Sequence, residues 1–350
     1  MHTRIEDLLK QWDGEELILR HDRPSGAWII IAIHSSRRGT PSGGTRMKPY
    51  ADLATAVTDA LNLSLGMTYK FAVANMARGG GKAVLHLPPN FDPAHRTGLL
   101  HRYGTLIKQL GGLYETGPDV GTSPHDMDTI AETGAPHVYG LTPAHGGSGS
   151  TGLPTAIGVF SAIEATCQHL YQSPSLVGKR ILVQGTGSVG GALIGFLQEA
   201  GAEILFNDVS ETAVHHFRDT MGLTYIPDTD IYDTPCDIFS PNALGGILNQ
   251  TTIPRLQCAA VVGGANNQLA TDTDAQRLHQ RGILYAPDYA VNIGGAMAVL
   301  SIESEGMAPA LAHQKVRGVR ETVLEILAAA AAENVSPVVA AQRVAEARLT

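Results

Sequence analysis

Arg180-Ile181-Leu182-Val183-Gln184-Gly185-Thr186-Gly187-Ser188-Val189-Gly190 is the stretch on which the reading of the fold depends. Its apolar run reads as a buried strand, and Ser188 to Ala200 reads as the helix that follows. Between them Gly185, Gly187 and Gly190 stand at the spacing of a dinucleotide fingerprint. The first glycine permits the tight turn, the second lets backbone approach a pyrophosphate, and the third lets helix and strand pack closely. The amide N–H groups of Ser188 and Val189, at the start of the helix, would face the phosphates. Asp208 ends the next apolar run, at about the separation of ~20 residues expected of an acid that binds the ribose. A carboxylate there accepts from a 2′-hydroxyl and repels a 2′-phosphate, so NAD is expected rather than NADP. The bland alternative, a glycine turn that binds nothing, has no need of strand, helix and acid together.

Working outward, apolar runs at Glu203–Phe206, Asp237–Ser240, Ala259–Val262 and Ile283–Ala286 predict further strands. Helical stretches separate them, the pattern of parallel βαβ units. Upstream, Leu17–His21 and Ala27–His34 flank the turn Arg23-Pro24-Ser25-Gly26 and predict a hairpin. Leu53–Leu65 and His95–Leu110 have helical spacing, while Phe71–Met76 and Ala83–Leu87 read as strands around a glycine run. The glycine-rich segment from Pro143 to Gly152 suggests a hinge or ligand loop. The expected architecture is α/β with two domains and an active-site cleft between them. Residues 1–147 form a mixed α/β domain for substrate and oligomerisation, and 148–325 a Rossmann domain. Residues 326–350 form helices that return to the first domain.

Composition sets limits. A chain of 350 residues exceeds one ordinary core. A formal net charge of −8 opposes nucleic acid as a partner. Cys167, Cys236 and Cys258 form no CxxC motif or disulfide framework, and no HxxxH or Cys/His cluster suggests a metal. Met1–Arg20 is charged throughout, without the apolar core of a signal peptide, and no run reaches ~18 apolar residues. A cytoplasmic enzyme with no membrane partner is expected.

Three polar residues then change the odds. Lys70 closes Gly66-Met67-Thr68-Tyr69-Lys70, Lys82 closes Arg78-Gly79-Gly80-Gly81-Lys82, and Asp119 opens Asp119-Val120-Gly121-Thr122. Singly, each has a bland reading: a helix-end charge, a surface lysine and a turn residue. Together with Gly43-Gly44-Thr45-Arg46-Met47, Asp126-Met127-Asp128, Ala243-Leu244-Gly245-Gly246, Ala265-Asn266-Asn267-Gln268-Leu269, Ala286-Pro287-Asp288-Tyr289, Asn292 and Gly294-Gly295, they form an ordered series. In these the sequence resembles the glutamate/leucine/phenylalanine/valine dehydrogenase family over nearly its whole length, on the leucine and phenylalanine (possibly tryptophan) side.

The resemblance implies reversible oxidative deamination of an L-amino acid to a 2-oxo acid and ammonium, in a homo-oligomer. Lys70 matches the lysine that binds the substrate carboxylate, Lys82 the lysine that activates water, and Asp119 the proton shuttle. Gly43 and Gly44 would lie against the substrate carboxylate. Asn266, Asn267 and Asn292 match positions near nicotinamide and substrate, Thr155 one facing the nicotinamide amide, and Ala243 one on the cofactor side. Ser42, Gly117, Ala296 and Val299 match the side-chain pocket. The glutamate branch carries a lysine where Ser42 stands, so glutamate is not expected. Ser42, Gly117 and Ala296 are each smaller than the usual residue, which predicts a roomy pocket for a bulky apolar or aromatic side chain. An aliphatic leucine or valine dehydrogenase is the alternative. A 2-hydroxy-acid dehydrogenase or an NADP reductase would want a catalytic His beside an Arg and an acid, and the 14 histidines show no such arrangement. A non-catalytic nucleotide-binding paralogue would be expected to lack a catalytic group, and all three are present.

Overall fold

A computed structural model describes residues 5–350, so the first four residues of the Met1–Arg20 segment lie outside the described residues. The chain divides into two compact units. The first runs up to Gly149 and includes Val299–Met307 and Ala345–Thr350; the second comprises Ser150–Ala298 and Ala308–Val344.

In the first unit α1 (Ile5–Trp12) leads into β1 (Glu16–Asp22) and β2 (Ala27–Ser35), the expected hairpin. Then come β3 (Pro41–Pro49), α2 (Leu53–Val73), β4 (Gly79–Leu87), α3 (Arg96–Gln109), β5 (Glu115–Pro118) and α4 (Pro124–Gly134). The sheet order is β1-β2-β4-β3-β5. β1, β2 and β4 are antiparallel neighbours, whereas β3 runs parallel to both β4 and β5. Alternation along the strands separates two cores. Ile29, Ile31, Ala83 and Leu85 pack under Leu99 and Tyr103 of α3 and Ile130 of α4. Ile30, Ala32 and Val84 face α2 through Ala56, Ala60 and Leu61.

One local expectation needs correction, and one strand was not expected at all. Phe71–Met76 does not form a strand: Phe71–Val73 completes α2, and Asn75 turns the chain with φ 52°. A short apolar run has no decisive period, and here burial of Phe71, Ala72 and Val73 on the helix decides it. Pro41–Pro49 carries two glycines and two prolines and gave no strand signal, yet it is a nine-residue strand held between two parallel partners.

In the second unit a six-stranded parallel sheet has the order β11-β10-β9-β6-β7-β8. Its strands are β6 (Arg180–Gln184), β7 (Glu203–Asn207), β8 (Thr224–Tyr225), β9 (Cys236–Pro241), β10 (Cys258–Val261) and β11 (Leu284–Tyr285). Beside them lie α5 (Gly152–Tyr171), α6 (Ser188–Glu199), α7 (Glu211–Val214), α8 (Asp272–Gln280), α9 (Asp288–Val291) and α10 (Gly294–Val299). Helices α11 (Pro309–Val316), α12 (Val319–Glu333) and α13 (Pro337–Leu349) follow. This is the doubly wound order, with its topological switch between β6 and β9.

Residues 326–350 do not return to the first unit as a block. Val319, Val323, Ile326 and Leu327 of α12 are buried, and the helix packs on α5. Only Ala345–Thr350 groups with the first unit. There Arg38 Nη1 donates to the Arg348 carbonyl at 2.7 Å, and Arg348 Nη1 donates to the Val73 carbonyl at 2.5 Å.

The close passage of β3 against β4 sets a test. A Cβ at Gly43 would lie 1.9 Å from the Gly81 carbonyl oxygen, which is backbone and cannot give way. Gly66, inside α2, has no heavy atom within 4 Å of the same position. Gly43→Ala is expected to destabilise the protein by about 1–3 kcal/mol or more. Gly66→Ala should be neutral or stabilising by up to about 1 kcal/mol. Urea denaturation of the two variants measures the contrast.

Candidate active site

Register builds the first part of the site. Ser42 pairs with Glu115 and Gly44 with Gly117 across β3 and β5, while Ser42 pairs with Gly80 across β3 and β4. With side chains alternating, Ser42, Gly44 and Arg46 share a face with Gly80, Lys82, Glu115 and Gly117. This is the face that α2 covers over β2 and β4.

Lys82 and Asp119 meet there. The ammonium Nζ is 2.7 Å from Asp119 Oδ2, and the Lys82 side chain keeps only 7% of its surface exposed. Arg46 Nε donates to the same oxygen at 3.0 Å, and its Nη1 donates to Asp59 Oδ2 at 3.0 Å. Tyr50 donates its hydroxyl hydrogen to Asp59 Oδ2 at 2.5 Å. Burial pushes Lys82 below the usual lysine range against the pull of Asp119, and Arg46 adds to the lowering. For Asp119 burial acts upward, but the Lys82 ammonium and Arg46 outweigh it and hold the carboxyl below its usual value. Two cations, the Lys82 ammonium and the Arg46 guanidinium, thus act together on the Asp119 carboxylate. Lys70 sits half-buried in the last turn of α2, two residues beyond Thr68, whose atoms would be struck by a side chain at Gly80.

Side chains at Gly43 and Gly44 would collide with Gly81 and with Pro118 and Asp119 respectively. One sequence expectation changes in this unit. Gly117 does not open space, because the Tyr139 ring lies on it, 2.1 Å from where a Cβ would stand. Ser42 has a cation beside it that its own position does not supply. It is fully buried, and Arg78 Nη1 donates to its Oγ at 3.4 Å. Sequence reading missed Arg46, Asp59, Arg78, Glu115 and Tyr139. Arg46 stood in the quoted run Gly43-Gly44-Thr45-Arg46-Met47, but its place on the face of Gly44 follows only from the strand that the structure shows. Arg78 and Tyr139 carried no local signal.

The second unit gathers the fingerprint at the carboxyl end of β6. Gly185 turns the chain with φ 82°, and its missing side chain leaves room for Ala243. A Cβ at Gly190 would lie 1.9 Å from the Gly185 carbonyl oxygen, whereas Gly187 has nothing within 4 Å. Gly187 caps α6 without a side-chain bond, so the first amides of the helix, among them those of Ser188 and Val189, have no cap partner. Asp208 follows β7, and its Oδ2 accepts from Thr186 N at 2.7 Å and Thr186 Oγ1 at 2.8 Å. Burial would raise the Asp208 carboxyl, but these bonds and one from Ser210 N hold it below its usual range. Asn292 Nδ2 donates to Asn266 Oδ1 at 2.8 Å, and Asn267 N donates to Asp288 Oδ2 at 2.5 Å. The Thr155 hydroxyl lies close beneath Gly295, where a Cβ would come within 2.7 Å of it. Ala296 and Val299 both lie on α10, with Ala296 in the second unit and Val299 in the first. Open backbone at Gly187, uncapped amides and an ionised Asp208 fit a dinucleotide. Among the described residues no group of three or more His, Cys, Asp or Glu could hold a metal ion. No single described helix is long and apolar enough to cross a membrane.

A glycine-floored lysine–aspartate pair in one unit and a dinucleotide turn in the other together define an amino-acid dehydrogenase, and comparison with known proteins agrees. Residues 25–135 match the Glu/Leu/Phe/Val dehydrogenase dimerisation domain, and residues 206–348 match the Glutamate/Leucine/Phenylalanine/Valine dehydrogenase domain. The chain is 38% identical to a leucine dehydrogenase of Thermoactinomyces intermedius, over 99% of this chain and 93% of the relative. It is 40% identical to a phenylalanine dehydrogenase of Lysinibacillus sphaericus, over 94% of this chain and 87% of the relative. Its fold superposes on the crystal structure of an L-tryptophan dehydrogenase from Nostoc punctiforme with a TM-score of 0.89, at 36% identity and 98% coverage of both chains. The chain belongs to the glutamate/leucine/phenylalanine/valine dehydrogenase family, NAD(P)-using oxidoreductases that act on the CH–NH₂ group of L-amino acids.

Two glycines of the turn, Gly187 at the cap of α6 and Gly190 inside its first turn, separate binding from folding. Gly187→Ala is expected to leave thermal stability nearly unchanged and to weaken dinucleotide binding at least tenfold. Gly190→Ala should lower stability by roughly 1–3 kcal/mol, because its Cβ meets backbone. Calorimetric titration with NADH and thermal melts distinguish the two; a Gly187→Ala protein of normal affinity would show that the turn faces no phosphate.

Proposed function

We propose that the protein catalyses NAD-dependent, reversible oxidative deamination of a bulky apolar or aromatic L-amino acid, yielding the 2-oxo acid and ammonium. The observation that carries this reading is the buried Lys82–Asp119 pair, 2.7 Å apart, set in a glycine-rich floor with Arg46 behind it. The coarser activity is that of the family; similarity to leucine, phenylalanine and tryptophan dehydrogenases supports the side-chain class. With Gly117 occupied by Tyr139, a roomy pocket rests on Ser42 and Ala296 alone.

In this reading NAD⁺ supplies the hydride acceptor. Lys70 grips the substrate carboxylate, a fixed charge that holds the Cα–H in one orientation. Asp119 Oδ2, ionised at the outset, takes a proton from the substrate ammonium, is neutral while it holds it, and returns it to the departing ammonia. Lys82, lowered by burial, reaches its neutral form where an ordinary lysine would not, and its Nζ then accepts a proton from the water that adds to the imine carbon. Arg46 keeps Asp119 in place when Lys82 is neutral. Thr155, Asn266, Asn267, Asn292 and Ala243 are proposed to line the nicotinamide side of the nucleotide site. Asp208 disfavours a 2′-phosphate by charge, which is the basis for NAD over NADP. The match of residues 25–135 to a dimerisation domain supports a homo-oligomer.

A panel of L-amino acids with NAD⁺ and NADP⁺, followed by absorbance of the reduced cofactor, tests the reading. Aromatic or large aliphatic substrates with NAD⁺ are expected to give the highest kcat/KM; best turnover of glutamate, or equal use of NADP⁺, would sink it. Lys82→Ala should reduce kcat by a factor of at least about 10³, while Lys70→Ala acts mainly on KM, since it binds a charge already present in the ground state.

The pH profile adds a signed prediction. Deamination should rise with pH through the deprotonation of Lys82, at a midpoint below the ordinary lysine value of 10.5. Asp119 pulls that midpoint up, so Asp119→Asn should move whatever activity remains to a lower midpoint. A midpoint displaced upward in the variant contradicts the ion-pair reading.

A further inference from the structure

Beyond the lysine–aspartate pair, the same face of the sheet carries a second buried charge pair that the deamination chemistry does not use. Arg78, immediately before β4, donates Nη1 to Glu115 Oε2 at 2.5 Å and touches Ser42 Oγ at 3.4 Å. Its Nη2 lies 3.7 Å from Glu305 Oε1, in the Val299–Met307 segment of the same unit. The Arg78 side chain keeps 9% of its surface exposed and that of Glu115 keeps 17%.

Its place along the strands gives the pair meaning. Glu115, Gly117 and Asp119 follow one another at intervals of two residues, and so do Ser42, Gly44 and Arg46. Two strand residues span about 7 Å, so Ser42 and Glu115 lie about one aromatic side chain away from the rung of Gly44, Gly117 and Lys82. The Tyr139 ring over Gly117 forms a wall beside that path. A substrate held at Lys82 and Asp119 with its side chain directed along β3 would end on the Arg78–Glu115 pair.

Stability does not account for such a pair, since apolar residues of similar volume usually serve as well or better in a buried position. Its hydrogen bonding is also incomplete. Glu115 gives only Oε2 to Arg78, and among the described residues Oε1 accepts no hydrogen bond. Apolar contact would strip water from that oxygen and return nothing, whereas an N–H or O–H group would replace the water. With Glu115 and Glu305 facing one guanidinium, the local charge also disfavours an anionic side chain.

We propose that Arg78 and Glu115, with Ser42, form the specificity-determining end of the substrate pocket and select L-amino acids whose side chain ends in a hydrogen-bond donor. Glu115 Oε1 accepts from that donor, and Arg78 fixes the carboxylate in the orientation that presents it. The inference rests on the amino-acid dehydrogenase reading and narrows the substrate within it.

Matched substrates test it: L-tryptophan against 1-methyl-L-tryptophan, and L-tyrosine against 4-methyl-L-phenylalanine, each pair differing in one donor. Wild type should favour the donor-bearing member by roughly tenfold or more in kcat/KM, a modest share of what a fully buried acceptor achieves. The double variant Arg78→Met/Glu115→Leu should lose that ratio. Glu115→Gln, which keeps the shape, covers the case in which the double variant does not fold, and it should reduce the ratio several-fold. A wild-type ratio near one, or one that survives in a folded variant, overturns the proposal. Loss of the underlying reading looks different: no amino acid would then be oxidised by wild type, or the Lys82→Ala enzyme would retain full activity.

Discussion

The buried ion pair of Lys82 and Asp119 is the constraint around which the first unit is arranged. An ammonium inside a sheet is costly unless an anion stands within contact distance and the remaining lone pairs are satisfied. Here the anion arrives from the end of β5, a strand that is not adjacent to β4. Lys82 can reach it only across β3, and it does so because β3 carries glycine at the intervening rung. The parallel setting of β3 against both neighbours fixes that rung. Arg46 and Asp59 then extend the pair into an alternating chain of charges, so that neither central member depends on one partner alone.

Glycine serves two separate ends in this molecule. At Gly43, Gly44, Gly80 and Gly81 the space beside the backbone is already filled by protein, and the absent side chain is what allows the strands and α2 to approach. Gly185 and Gly190 do the same for the turn at β6. Gly187 differs, since nothing in the protein claims its space. The distinction between a glycine required by packing and one left open toward solvent is invisible in a motif, where all are written alike.

Much of the architecture was nevertheless legible. The doubly wound unit announced itself through apolar runs at regular spacing and a glycine turn followed by an acid, because parallel buried strands read as continuous hydrophobic segments. The hairpin of β1 and β2 was equally plain. What escaped was structure held by long-range contact. β3 has poor strand propensity along its own length and exists because two strands flank it. The end of α2 was lost because Phe71–Val73 is apolar on every side, which hides the helical period. Within the site, Lys82 and Asp119 were found through their motifs, but Arg78, Glu115 and Tyr139 lie in segments whose meaning arises only when β3, β4 and β5 come into register.

The Gly117–Tyr139 contact shows why a pocket cannot be sized from substitutions taken one at a time. Gly117 removes a methyl-sized group from β5, and in isolation that would enlarge the site. The protein instead uses the vacancy to seat an aromatic ring from the segment after α4, and close packing makes such compensation the ordinary outcome. The same holds for Ser42, whose small hydroxyl lets a guanidinium approach to 3.4 Å where a larger apolar residue would block it. At Gly117 and Ser42 the volume given up is taken by an aromatic ring and by a guanidinium paired with Glu115, so the smallness of a residue in the sequence does not by itself measure open space.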